Sequence, residues 1–178
     1  INTCDFNQTK SATLEICNFE GPVYLRFGRP KVANFTNPLD KFQIGKGILL
    51  NEGSDVTIVA TGHLVWEAIQ AAEKLNKNGV NAEIINIHTI KPLDEDIILN
   101  SVNKTGCLVS AEEHNIFGGL GESIARLLTS KAPYPQEFVG TNDTFGESGT
   151  PTELMNKYGL NMDSIHDAVI NVMKRKVK

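Results

Sequence analysis

Apolar and polar positions change their period several times along the chain, and each change marks an element. Asp5 followed by Gln8 resembles a capping box and predicts a short helix to about Cys17, with Phe6, Ala12, Leu14 and Ile16 among its apolar positions. Gly21-Pro22 breaks it, and Val23-Tyr-Leu-Arg-Phe27 reads as a strand from its β-branched and aromatic content. From Gly28 to Asp40 periodicity vanishes among Gly28, Pro30, Asn34, Thr36, Asn37 and Pro38, which predicts a linker. Ile44 to Leu50 is expected as a hairpin or edge strand. Asp55 to Thr61, Ala82 to Ile87, Cys107 to Ala111 and Phe138-Val139 are predicted as strands.

Between these runs the period becomes helical. Leu64, Val65, Ala68, Ile69, Ala72 and Leu75 form one stripe over about His63–Asn76, closed by Gly79. Pro92 and Asp94 introduce a helix to about Val102, with Ile97, Ile98 and Val102 inward. Gly118-Gly-Leu-Gly121 opens another that runs to about Ser130. Two closing helices are expected over Thr152–Lys157 and Asp163–Arg175. Strand and helix alternate four times after the linker. That pattern predicts an α/β fold: three layers, α/β/α, around a mostly parallel sheet, preceded by a helix-strand piece too small to fold alone. Ligands in such folds sit beyond the carboxyl ends of the strands, here the loops 61–63, 88–91, 112–121 and 140–149.

Composition narrows the classes. With 178 residues, 40% apolar and 21% charged, the chain can bury one substantial core. A net charge of −4 disfavours nucleic acid as the main partner. The basic cluster Lys174, Arg175, Lys176 and Lys178 reads as a solvated tail. No apolar run approaches membrane-spanning length. Cys4, Cys17 and Cys107 form no CxxC pair, so no metal site is expected and a reducing, cytoplasmic compartment fits them. The chain opens on Ile1 rather than Met, so it is expected to be a piece of something longer.

Candidate chemistry is concentrated in Ala111-Glu-Glu-His-Asn-Ile-Phe-Gly-Gly-Leu-Gly121, a strand-to-helix turn. Glu112, Glu113 and His114 could form an acid/base set, although neighbouring strand residues point apart, or an ionic brace. Gly118, Gly119 and Gly121 at a helix start could receive an anion. Gly119-x-Gly121 begins like a dinucleotide fingerprint, but Ile124 stands where the third glycine belongs, and Asp143 follows only a short strand. Thr144 to Gly149 is glycine-punctuated but lacks a P-loop lysine. His63 and His88 stand alone at strand ends and read as structural. Arg26 and Arg29 suit phosphate or carboxylate recognition, and their odd spacing sends them to opposite faces. No residue is singled out as catalytic.

Several blocks, taken in order, resemble the C-terminal part of transketolases, most closely the split, small-subunit type. Gly21-Pro-Val-Tyr-Leu-Arg-Phe-Gly-Arg29 is similar to the end of the family's pyrimidine-binding domain. Phe42-x-Ile-Gly-Lys-Gly, the segments 53–62 and 87–94, Glu112-Glu-His114 with Gly118-Gly-Leu-Gly121, and Phe145-Gly-Glu-Ser-Gly149 are similar to successive blocks of the third domain. The resemblance implies a pyrimidine-domain remnant over 1–28, a linker over 29–41 and a transketolase C-terminal domain over 42–178. It implies transfer of a two-carbon ketol unit between sugar phosphates by thiamine diphosphate with a divalent metal, Mg or Ca, in the complete enzyme. The piece itself is expected to hold neither group and to be inactive alone. Arg29 occupies the family's sugar-phosphate arginine position, with Arg26 the weaker candidate. Glu112, Glu113, His114, Gly118, Gly119 and Gly121 are expected at an interface, with a second copy or an N-terminal transketolase subunit as partner. The third domain of a deoxyxylulose-phosphate synthase or of a 2-oxoacid dehydrogenase β subunit, and a stand-alone interaction or anion-binding module, are the alternatives.

Overall fold

The computed structural model describes residues 1–176. Helix α1 (Phe6–Ile16) comes first and is followed by strands β1 (Ile48–Asn51) and β2 (Val56–Ala60). Helix α2 (Leu64–Lys77), β3 (Ala82–Asn86), α3 (Glu95–Thr105), β4 (Leu108–Asn115), α4 (Leu120–Lys131) and β5 (Gln136–Thr141) then alternate. Helices α5 (Pro151–Lys157) and α6 (Met162–Lys174) close the fold.

The five strands form one sheet in the order β1-β3-β2-β4-β5, parallel except for β1, which runs antiparallel along β3. Strands β2 and β3 are buried at every position, as expected where helices cover both faces. On one face Ile58, Leu64, Leu75, Ile165 and Val169 join α2 and α6 to the sheet. On the other, Val59, Ile85, Ile98, Leu108, Ile124 and Leu127 join α3 and α4. The result is the expected three-layer α/β/α sandwich. Local sequence explains the boundaries. Asp94 caps α3 through the Ile97 N–H, and Gly106 takes a left-handed φ of 77° to stop it. Thr150 and Glu153 form a capping box on α5.

Leaving β2, the chain crosses to β3 over the α2 face. Leaving β3 and β4, it runs the other way over the opposite face. Neighbouring β2 and β4 therefore send their outgoing connections in opposite directions, which opens a crevice at their carboxyl ends.

Two expectations are corrected. Val23 to Phe27 is not a strand: the run makes a single parallel bridge, Asn2 with Arg26, because the extended neighbour, residues 1–3, ends where Asp5 caps α1. The basic C-terminus is not a free tail. Arg175 donates to the Gln136 carbonyl at 3.2 Å and pairs with Glu137, and the Lys176 ammonium donates to the Asp55 carbonyl at 3.3 Å. Both close the amino-terminal edge of the sheet. Lys178 lies outside the described residues.

Within residues 29–41, Asn34, Phe35 and Thr36 are tied down. The buried Asp5 carboxylate caps α1 through the Gln8 N–H at 2.9 Å. The same carboxylate accepts from Phe35 N–H, Thr36 N–H and the Thr36 hydroxyl at 2.9, 2.7 and 2.7 Å. Asn7 adds bonds to the Asn34 side chain and the Thr36 carbonyl. Phe35 stacks on Trp66 of α2 with ring centres 5.5 Å apart. The segment is thus a strap that ties α1 to the sandwich.

Candidate functional site

The crevice between β2 and β4 is covered by the first residues of the chain. The Asn2 carbonyl accepts from the Thr61 hydroxyl at the end of β2 at 3.4 Å, and on the β3 side Asn2 N–H donates to the His88 carbonyl at 2.8 Å and Cys4 Sγ accepts from buried Asn86 at 3.3 Å. Asp5 and Gln8, which organise this cover, showed in the sequence only as a cap. A cavity of about 370 Å³ remains, with Arg26, Thr61, Lys91, Glu112 and His114 among its polar lining and Phe19, Tyr24 and Leu120 among its apolar lining.

Strand β4 continues four residues past the expected Ala111. It resumes pairing at Asn115 with Thr141 after a register shift, and this extension carries the acidic pair. Alternation along the strand then sends Glu112 and Glu113 in different directions. Glu112 points to the start of α4, where its carboxylate accepts the Leu120 and Gly121 N–H groups, both at 2.7 Å. Burial pushes the Glu112 carboxyl above its ordinary value, while these two amides, His114 and Arg26 pull it down. A Cβ on Gly119 would lie 2.2 Å from Glu112 Oε2, so only glycine lets the carboxylate reach the amides. The anion received at this helix start is the chain's own side chain. Gly118 N–H is held by Glu122, and the Gly121 carbonyl accepts from buried Gln136 at 3.0 Å.

Glu113 turns toward the end of β2 and meets His63, Nδ1 to Oε2, at 3.0 Å. The hydrogen bond from His63 holds the Glu113 carboxyl below its ordinary value, helped by the charge of Arg26. The backbone carbonyl of the same Glu113 accepts from Arg26 Nη2 at 2.9 Å. His114 is half-exposed, donates from Nδ1 to the Asn115 carbonyl at 2.8 Å, and lies 4.0 Å from Glu112. No three-residue acid/base set results. Each member has a structural partner: Glu112 and His114 find theirs locally, and Glu113 finds His63 through the adjacency of β2 and β4.

Arg26 faces the crevice, while Arg29 is exposed. His63 is more than a lone strand-end residue, because it joins Glu113 to the backbone at Gly28. His88 is buried against Phe42, and burial pushes its imidazole down to about 4. Asp143, weighed as a ribose contact, instead accepts from Asn115 at 3.0 Å, and Ile124 is fully buried in the core. Among the described residues no group of three His, Cys, Asp or Glu side chains could hold a metal ion, and no helix is long and apolar enough to cross a membrane.

The chain is 43% identical over 172 residues to 6-deoxy-6-sulfo-D-fructose transketolase subunit SqwH of Clostridium sp. (strain MSTE9), across 97% of this chain and 53% of that protein. It is 33% identical over 173 residues to an apulose-4-phosphate transketolase subunit of Phocaeicola vulgatus, across 97% of this chain and 55% of that one. A solved structure described as split gene transketolase, inactive beta4 tetramer, superposes with a TM-score of 0.96 at 39% identity, covering 98% of this chain and 57% of that chain. The chain spans about half the length of these relatives. Residues 45–165 match the family described as transketolase, C-terminal domain, and the chain belongs to that family.

Proposed function

We propose that this chain is the C-terminal section of a transketolase-type enzyme that moves a two-carbon ketol unit from a ketose phosphate to an aldose phosphate. The observation that carries the reading is that nearly the whole chain, helix and strap included, aligns with a split-gene transketolase. Residues 1–28 are read as the end of a pyrimidine-binding domain, 29–41 as the connection and 42–178 as the C-terminal domain. Arg29 is assigned to grip the sugar phosphate. Its guanidinium is exposed, always charged and suited to bidentate phosphate contact. Arg26 is the weaker candidate for that role, since one of its donors already serves Glu113.

Thiamine diphosphate with Mg or Ca supplies the carbon–carbon bond chemistry in the complete enzyme. We place that group outside this chain. The donor set here does not fit a diphosphate, because the amides at the start of α4 are engaged by a carboxylate that would repel it. The chain's own part is therefore to bind phosphate and to serve as scaffold. The block from Glu112 to Gly121 is assigned to packing against a second copy or an N-terminal transketolase subunit. A cytoplasmic setting goes with this reading.

The test is a substrate comparison on the complete enzyme. Ketol transfer between sugar phosphates supports the proposal. Turnover of pyruvate without ketol transfer would assign the chain to a deoxyxylulose-phosphate synthase or a 2-oxoacid dehydrogenase instead.

A further inference from the structure

The segment that carries Arg29 meets the C-terminal sandwich at Glu113 of β4 and at His63, just ahead of α2. Glu113 holds it twice. Its backbone carbonyl accepts from Arg26 at 2.9 Å, and its carboxylate fixes the His63 ring at 3.0 Å. The Cε1–Nε2 edge of that ring abuts the backbone at Gly28. A Cβ built on Gly28 would sit 2.1 Å from both Cε1 and Nε2 of His63, so the backbone rests on the imidazole closer than any other residue type permits. Residues 26 and 28, on either side of Phe27, are thereby pinned to a single point, and residue 29 follows directly.

The rest of the segment has little to hold it. Among the described residues its backbone is paired by the bridge of Arg26 with Asn2 and by the Ile1 ammonium at the Tyr24 carbonyl, and Phe27, Arg29 and Pro30 are exposed. Without the His63 ring beneath Gly28, the root of Arg29 would have no fixed height above the sandwich. A guanidinium recognises phosphate by direction as well as charge, so a shift of its root is felt in binding.

We propose that Glu113 and His63 are positioning residues for sugar-phosphate binding: the carboxylate orients the imidazole, and the imidazole sets the backbone from which Arg29 reaches the phosphate. This rests on the phosphate role of Arg29 proposed above. It gives the Glu-Glu-His block a part in substrate affinity beyond packing, and it assigns that part to Glu113 rather than to Glu112 or His114.

The test uses the complete enzyme with an aldose phosphate and with the same aldose lacking its phosphate. Glu113→Ala is expected to raise KM for the phosphorylated acceptor about five-fold while kcat changes less than about two-fold, and to leave KM for the free aldose as it was. Glu113→Gln keeps an acceptor oxygen for the imidazole and is expected to restore most of the affinity. Gly28→Ala should raise KM in the same selective way, and His63→Ala added to Gly28→Ala should recover part of the loss by removing the clash. Added to Arg29→Ala, Glu113→Ala should bring no further penalty. If Arg29→Ala raises KM and Glu113→Ala does not, the positioning role is overturned and the phosphate role stands. Equal losses with both aldoses would mean general damage and also overturn it. An unchanged KM in Arg29→Ala overturns the phosphate role and this inference together.

Discussion

Replacing Asp5 by Asn tests how firmly the strap is tied, with almost no change of shape. One oxygen, Oδ1, accepts from Gln8 N–H and the Thr36 hydroxyl, and the other, Oδ2, from the Phe35 and Thr36 amides at 2.9 and 2.7 Å. Asparagine keeps an oxygen for the first pair and turns an NH₂ group toward two N–H donors. The flipped amide is no better, because its NH₂ then faces Gln8 N–H. Two bonds to an ionised acceptor are lost, each contributing about 1.5–3 kcal/mol when buried. Phe35 and Thr36 are only half-buried, so water recovers part of this, and the net cost is about 2–4 kcal/mol. For a chain of this size that lowers the melting temperature by roughly 5–15 °C. Urea unfolding followed by the fluorescence of Trp66 reads the same event, since Phe35 lies against that ring. A midpoint unmoved by Asp5→Asn would refute the claim that this carboxylate holds α1 to the strap.

Gly119→Ala forces Glu112 off the α4 amides, because the added Cβ would lie 2.2 Å from its carboxylate; a loss of about 2 kcal/mol is expected, and an unchanged melting temperature would contradict the close approach. His88 titrates at about 4 in the fold against about 6.5 when free, because burial disfavours its charged form. Its contribution is therefore complete above about pH 6.5 and is lost as pH falls through about 4, a decline of about 3 kcal/mol at most. Urea midpoints measured across that window should fall less steeply in His88→Gln than in the unaltered chain, and identical slopes would reject the assignment.

The sheet and helices were largely legible because local signals agreed with one another. Asp94 caps and Gly106 stops α3, and the stripe from Leu64 to Leu75 is the buried face of α2. The misread segment, Val23 to Phe27, has strand composition but an extended neighbour, residues 1–3, that ends too soon, and composition cannot report where a neighbour ends. The closing cations were misread for a related reason: Gln136, Glu137 and Asp55, which receive Arg175 and Lys176, lie far away in sequence.

The candidate site was legible as a place but not as a circuit. The glycine-rich turn and its acidic neighbours could be named from spacing alone. That Glu112 serves Leu120 and Gly121 is set by the path of the β4–α4 turn, whereas Glu113 serves His63 because β2 and β4 are adjacent, and strand order is not written in any local pattern. The spacing of Arg26 and Arg29 separated their faces. Only the contact of Arg26 with Glu113 says which of them turns inward.

The central claim is that this half of the enzyme grips the sugar phosphate and leaves the cofactor to the other half. Its most direct test is Arg29→Ala in the complete enzyme, with substrate affinity and thiamine diphosphate affinity measured side by side. Loss of a charge-assisted phosphate contact should raise KM for the sugar phosphate by about 10- to 100-fold and leave cofactor affinity untouched. An unchanged KM, or a loss of cofactor affinity in its place, would contradict the account.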